Sequence, residues 1–121
     1  MRTRPDKLTT QVIAGHSILR DEAGYLVDPE MWTEDIARQF ADEEGVALND
    51  EHWAVIRFMR DYLDEHGIAA DARFAFRFLA SRHKTDVSGG RARFFALFPY
   101  GYVKQACKIA GMRQPRAWST G

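Results

Sequence analysis

Residues 49–67 read Asn-Asp-Glu-His-Trp-Ala-Val-Ile-Arg-Phe-Met-Arg-Asp-Tyr-Leu-Asp-Glu-His-Gly, and this segment constrains the fold more than any other. Asn49 is a strong helix N-cap, Asp50 and Glu51 complement the positive end of the helix dipole, and Gly67 is a good stop. Between them Trp53, Ile56, Met59 and Leu63 recur at helical spacing, and Val55, Phe58 and Tyr62 form a second stripe. A helix with two apolar stripes is contacted on more than one side. Other elements are therefore expected to wrap around it, with Trp53 filling the interior.

The flanking segments supply those elements. Gln11–Ala14 and Ser17–Arg20 surround a turn at Gly15-His16 and predict a short β-hairpin, to which Tyr25-Leu26-Val27 would add a third strand. Residues 1–10 are polar and are expected to fray. Asp28-Pro29 and Thr33 are both helix-start signals, and the helix they open should end at Gly45 with Ile36, Ala37 and Phe40 inside. A third helix is expected from Asp71 to His83, with Phe74, Phe78, Ala75 and Leu79 on its buried side and Phe76 off it. Ser88-Gly89-Gly90 reads as a flexible link. A fourth helix follows over 91–97, Phe98-Pro99-Tyr100-Gly101 breaks it, and a fifth runs from Tyr102 to Ala110 and ends at Gly111. The expected class is α+β and mostly helical: a small N-terminal β-meander or hairpin packed against about five helices. One domain would span 1–111, and residues 112–121 would form a C-terminal arm.

With 121 residues the chain has room for one domain, and 45% apolar with 28% charged residues is the balance of an ordinary globular protein. No apolar run approaches the roughly 18 residues of a membrane span. No apolar stretch follows Arg2 and Arg4 either, so no secretory signal is read and the expected location is the cytoplasm. Net charge is zero but unevenly placed. Residues 1–72 carry −9 and residues 73–121 carry +9, with Asp86 the only acid in the second part. Either the two parts neutralise each other by packing, or the basic part meets an anionic partner.

The chemistry available is narrow. His16, His52, His66 and His83 show no metal-binding spacing and read as surface or cap residues. No metal and no cofactor are expected. Asp42-Glu43-Glu44 and Asp61, Asp64 and Glu65 read as solvated helix faces. No constellation for a stand-alone catalyst is present. The single cysteine, Cys107, excludes an internal disulfide and is the one nucleophile. Lys104 three residues before it, Lys108 beside it, and Arg113 and Arg116 beyond would favour a thiolate. The negative end of its helix opposes that, and a cysteine between Ala106 and Ile109 also fits an inert buried hydrophobe.

Leu97-Phe98-Pro99-x-Gly101 followed by Lys104-Gln105-Ala106-Cys107-Lys108-Ile109-Ala110-Gly111 resembles the C-terminal signature of the DsrC/TusE family of sulfur-relay proteins. Ala23-Gly24-Tyr25-Leu26, Trp32, Glu44-Gly45-Val46-x-Leu48 and Glu51-His52-Trp53-x-Val55-Ile56-Arg57-Phe58-x-Arg60-Asp61 agree with it in order and spacing, over roughly residues 12–116. The resemblance implies a β-meander on about five helices with a mobile arm. It implies a cytoplasmic sulfur-metabolism role with protein partners from a sulfur-transfer or sulfite-reductase system. DsrC-type members carry one cysteine in this motif and one next to last, and TusE-type members keep the one near the end. By that pattern Trp118 stands at the arm-cysteine position and Tyr102 where proline is common.

Two roles follow from the resemblance. One is a single-thiol relay with a persulfide on Cys107, or a degenerate regulatory member, with Lys104, Lys108, Arg113, Arg116 and Trp118 meeting partners. The other is a non-catalytic adaptor or nucleic-acid-binding regulator using the basic part. Zero net charge weighs against nucleic acid.

Overall fold

The computed structural model describes residues 8–115. Strand β1 (Thr9–Ile13) pairs antiparallel with β2 (His16–Arg20), Thr9 opposite Arg20 and Ile13 opposite His16. The turn sits one residue earlier than expected, on Ala14 and Gly15, both at positive φ (49° and 83°). Two left-handed residues give the twist a two-residue hairpin needs. Thr9 and Thr10, expected to fray, belong to the strand. The expected third strand shrinks to a single bridge between Arg20 and Leu26, because Asp21 takes the Ala23 and Tyr25 amides into a turn.

Five helical segments follow: α1 (Glu34–Glu43), α2 (Asp50–His66), α3 (Ala72–Arg82), α4 (Val87–Leu97) and α5 (Tyr102–Cys107), the last π-helical. A 3-10 turn at Pro29–Met31, capped by Asp28, precedes α1. The first four helices each start on a side-chain cap: Thr33 to the Ile36 amide, Asn49 to Glu51 and His52, Asp71 to Arg73, and Asp86 to Gly89. Asp86, the lone acid of the basic part, is thus a cap, a position where a side-chain oxygen contributes about 1 kcal/mol.

The two-striped helix lies in the core as expected, with Val55, Ile56 and Met59 fully buried against Phe40, Leu79, Phe94 and Phe98. Three details differ from the sequence reading. Trp53 is half-buried at the edge, with Arg38 stacked over it at 5.2 Å, and does not fill the interior. His52, read as a surface or cap residue, is a cap, closing the capping box with Asn49, but it is buried. Its Nδ1 accepts from the Asn49 amide, so its Nε2 carries the proton and donates to Leu97 O at 2.8 Å, and burial holds its pKa below the usual value. On α3 the buried face carries Phe76, Ala75 and Leu79, while Phe74 and Phe78 are half-buried against Tyr62 and Phe58 of α2.

The Ser-Gly-Gly link is a fourth correction, for it forms the first turn of α4. A Cβ on Gly90 would lie 2.1 Å from Phe76 O and 2.8 Å from Ala80 N. The glycine lets two helix backbones touch, and that close packing outweighs a helix-propensity cost of about 1 kcal/mol. The charged parts partly neutralise each other, through Lys108–Glu44 at 3.2 Å and Arg82–Glu51 at 2.8 Å, while Lys84, Arg91, Arg93 and Lys104 stay exposed. No helix among the described residues is long and apolar enough to cross a membrane. Because the obstruction at Gly90 is backbone, Gly90→Ala should destabilise the protein by about 1–3 kcal/mol. A urea midpoint unchanged from the native chain would show that α3 and α4 do not touch there.

Candidate functional site

Gly101 opens α5 with φ 94°, and the chain then winds as a π turn through Tyr102–Cys107. Such wide turns are rare and are frequently found at functional sites. After them come Lys108, Ile109 and Ala110, and Gly111 at φ 79° turns the chain so that the Met112 amide reaches Cys107 O at 2.9 Å. Ile109 and Ala110 are fully buried, so their carbonyls need partners from elsewhere in the chain. Trp32 Nε1 donates to Ile109 O at 3.0 Å. Arg60 donates to Ala110 O at 3.1 Å and to Pro29 O at 2.9 Å, with its guanidinium 4.7 Å from the Trp32 ring centroid. A Cβ on Gly111 would come 2.4 Å from Trp32 Cδ1, so this glycine answers both a left-handed backbone and a close approach.

The start of the segment is held as well. Tyr25 Oη donates to Val103 O at 2.8 Å, and the Tyr102 hydroxyl donates to Ala70 O. These contacts seat Cys107 in the core with 1% exposure. Burial pushes its thiol up to about 12. Activation of the thiol by lysine, one of two opposed readings of the sequence, is absent from this arrangement. Lys104 is exposed while Cys107 is buried, because a π turn does not align positions three apart as an α-helix does. Lys108 is spent on Glu44 and lies over the Tyr25 ring at 5.1 Å. The thiol is protonated and unreactive in this state.

Cys107 nonetheless lines a groove of 480 Å³, together with Tyr102 and with Ile68, Phe74 and Val103. Arg113 and Pro115, the beginning of the expected arm, border the same groove. Arg113 is exposed and donates to Val27 O at 3.2 Å, and Met112 is buried. Thus Cys107 and Arg113 meet at one groove, while Lys104 and Lys108 do not join them. Arg116 and Trp118 lie outside the described residues. The sequence reading did not single out Trp32, Arg60 and Tyr25 as holding the cysteine segment. Their only signal was membership in the motifs that carry the family resemblance.

The site is a buried thiol on a C-terminal turn, seated by a small helical array beside a groove. The family model described as "DsrC like protein" matches residues 12–117, and the chain belongs to this family. Among the curated relatives, the sulfurtransferase TusE of Pectobacterium atrosepticum is 37% identical over 101 residues, 84% of this chain and 92% of that one. Sulfurtransferase TusE of Escherichia coli K12 is 36% identical over 104 residues, covering 86% and 94%. Among solved structures, the oxidized gamma-subunit of the dissimilatory sulfite reductase (DsrC) from Archaeoglobus fulgidus superposes with a TM-score of 0.77 at 30% identity, covering 90% and 98%. Allochromatium vinosum DsrC gives 0.77 at 32%, covering 91% and 97%. None of these names supports the adaptor or nucleic-acid alternative.

A thiol with its pKa near 12 sets a clear kinetic expectation. Iodoacetamide should modify native Cys107 at least about a hundredfold more slowly than the unfolded chain near pH 7.5, since the thiolate reacts and the thiol does not. The native rate should still be climbing at pH 10, where an ordinary cysteine has levelled off. A plateau near pH 9 would mean that Cys107 is solvated.

Proposed function

We propose that the chain works in sulfur relay as a DsrC/TusE-type protein, with Cys107 as the residue that accepts sulfur. The observation that carries this reading is that its sole cysteine lines the groove bordered by Arg113 and Pro115. In the accepting step Cys107 first loses its proton, and its thiolate then attacks the outer sulfur of a partner's persulfide. A new S–S bond forms at Cys107, the donor's S–S bond breaks, and the donor leaves as a thiolate with the electron pair. Burial makes the resting thiol inert, so the step requires an opening of the groove by a partner. The same burial favours a second reading, a regulatory member of the family that keeps the fold and transfers no sulfur.

In either reading the partners belong to a sulfur-transfer or sulfite-reductase system, and the location is the cytoplasm. Contact falls to exposed Lys104 and Arg113 and to Arg116 and Trp118 of the arm. Lys108, held by Glu44, contributes less. The arm begins after Met112, whose side chain belongs to the core. Trp118 supplies a large amphipathic ring with few rotatable bonds, the usual make-up of an interface anchor.

Intact mass separates the two readings. After incubation with a persulfide-loaded donor of the sulfur-transfer system, a relay protein gains about 32 Da for one sulfur atom, and Cys107→Ser gains nothing. No adduct on the native chain with any such donor leaves the regulatory reading. Removal of residues 116–121 preserves the docked residues Met112 and Arg113, and should weaken partner binding by about 2 kcal/mol or more. An unchanged dissociation constant would remove Trp118 from the interface.

A further inference from the structure

The aromatic side chains between α2 and α3 are only partly covered, although Phe58 and Phe78 also pack against the core. Phe58 stacks on Phe78 with centroids 4.8 Å and planes 20° apart, and Tyr62 stacks on Phe74 at 5.5 Å and 28°. Each pair takes one ring from each helix, and all four rings are half-buried. Phe58, Tyr62 and Phe78 line a furrow of 350 Å³ edged by Arg57, Asp61 and Glu65. Tyr62 lines both this furrow and the groove at Cys107, which Phe74 also lines, so the two depressions that make up the trough adjoin at Tyr62. Ile68, 66% exposed, extends its apolar wall.

The two lips carry opposite charge. Asp61 and Glu65 are exposed, four residues apart on α2, while Arg57 on the same lip already faces Glu34 at 3.9 Å. Across the trough Arg77 of α3 is exposed, its guanidinium 5.8 Å from the Phe74 ring centroid.

We propose that this trough is the docking site for an amphipathic helix of a partner protein. Its apolar stripe rests on the two stacked ring pairs, a basic flank meets Asp61 and Glu65, and an acidic flank meets Arg77. From Ala54 to Glu65 the α2 lip rises about 16 Å, the length of three helical turns. A helix laid in such a groove is read through apolar anchors at i, i+3, i+4 and i+7, and the charged flanks set its direction. A second copy of this chain fits less well, because it would bring a concave face to a concave face. Residues 116–121 offer one large apolar side chain, Trp118, and so fill one position beside Pro115 but not three turns. A helix docked here ends at the groove lined by Cys107, and the docking holds whether or not Cys107 carries sulfur.

The test is an NMR titration of the full chain with synthetic helical peptides of about 14 residues, with leucine at i, i+3, i+4 and i+7. One peptide has lysine on one flank and glutamate on the other, one has lysine on both, and one has glutamate on both. The mixed peptide should shift the ring signals of Phe58, Tyr62, Phe74 and Phe78 and bind about tenfold tighter than either uniform one. In D61K/E65K, with circular dichroism confirming the fold, both lips are basic and the preference should pass to the glutamate peptide. Shifts elsewhere, or equal affinity for all three peptides, overturn the proposal. So does concentration-dependent broadening of these rings without peptide, which would assign the trough to a second copy. Shifts of the same rings on removing residues 116–121 would assign it to the arm.

Discussion

The buried end of the cysteine-bearing segment needs partners for its last carbonyls, and the rest of the structure is arranged around that need. Leaving Ile109 O and Ala110 O unpaired in the core would cost about 1–3 kcal/mol each. Trp32, from just before α1, and Arg60, from the middle of α2, supply the donors. Arg60 ties in the turn before α1 through Pro29 O, and Trp32 packs on Gly111 where a side chain would not fit. Two residues from distant segments, Trp32 and Arg60, therefore converge on the C-terminal turn. The position of Cys107 follows from that convergence.

The same convergence explains the chemical character of the site. A thiol seated among Tyr102, Ala106 and Ile109 is desolvated, and desolvation opposes thiolate more than nearby lysines favour it when those lysines face solvent or a glutamate. Reactivity therefore depends on changes at the groove. Its edge is made by Arg113 and Pro115, and its wall continues into the aromatic trough between α2 and α3. A partner in that trough would lie along the elements that enclose the cysteine. The thiol is buried, and the groove it lines adjoins the trough at Tyr62.

Much of the fold was legible before any coordinates. Thr33, Asn49, Asp71 and Gly67 acted at the ends they marked, because a cap is a local hydrogen bond or a local backbone preference. The hairpin was legible from its glycine and β-branched residues. Three misreadings share one cause. Gly89-Gly90 reads as a link on propensity, Phe76 as off the buried face on periodicity, and Trp53 as core on size, yet each outcome was decided by a neighbour distant in sequence. For Gly90 and Phe76 that neighbour is the facing helix, α3 or α4.

The sequence by itself determined where most of the helices start and stop, which helix is central, that one thiol is available, and which family the motifs belong to. Those features depend on residues within a few positions of one another, or on counting. The tertiary structure alone decided that Cys107 is buried, that Lys108 belongs to Glu44, and that Arg60 and Trp32 hold the cysteine segment. It also decided that Phe58, Phe74 and Phe78 line a trough. The physical reason is that desolvation, ion pairing and carbonyl satisfaction depend on what surrounds a group in space. For Cys107 those surroundings come from residues as far away along the chain as Tyr25 and Trp32.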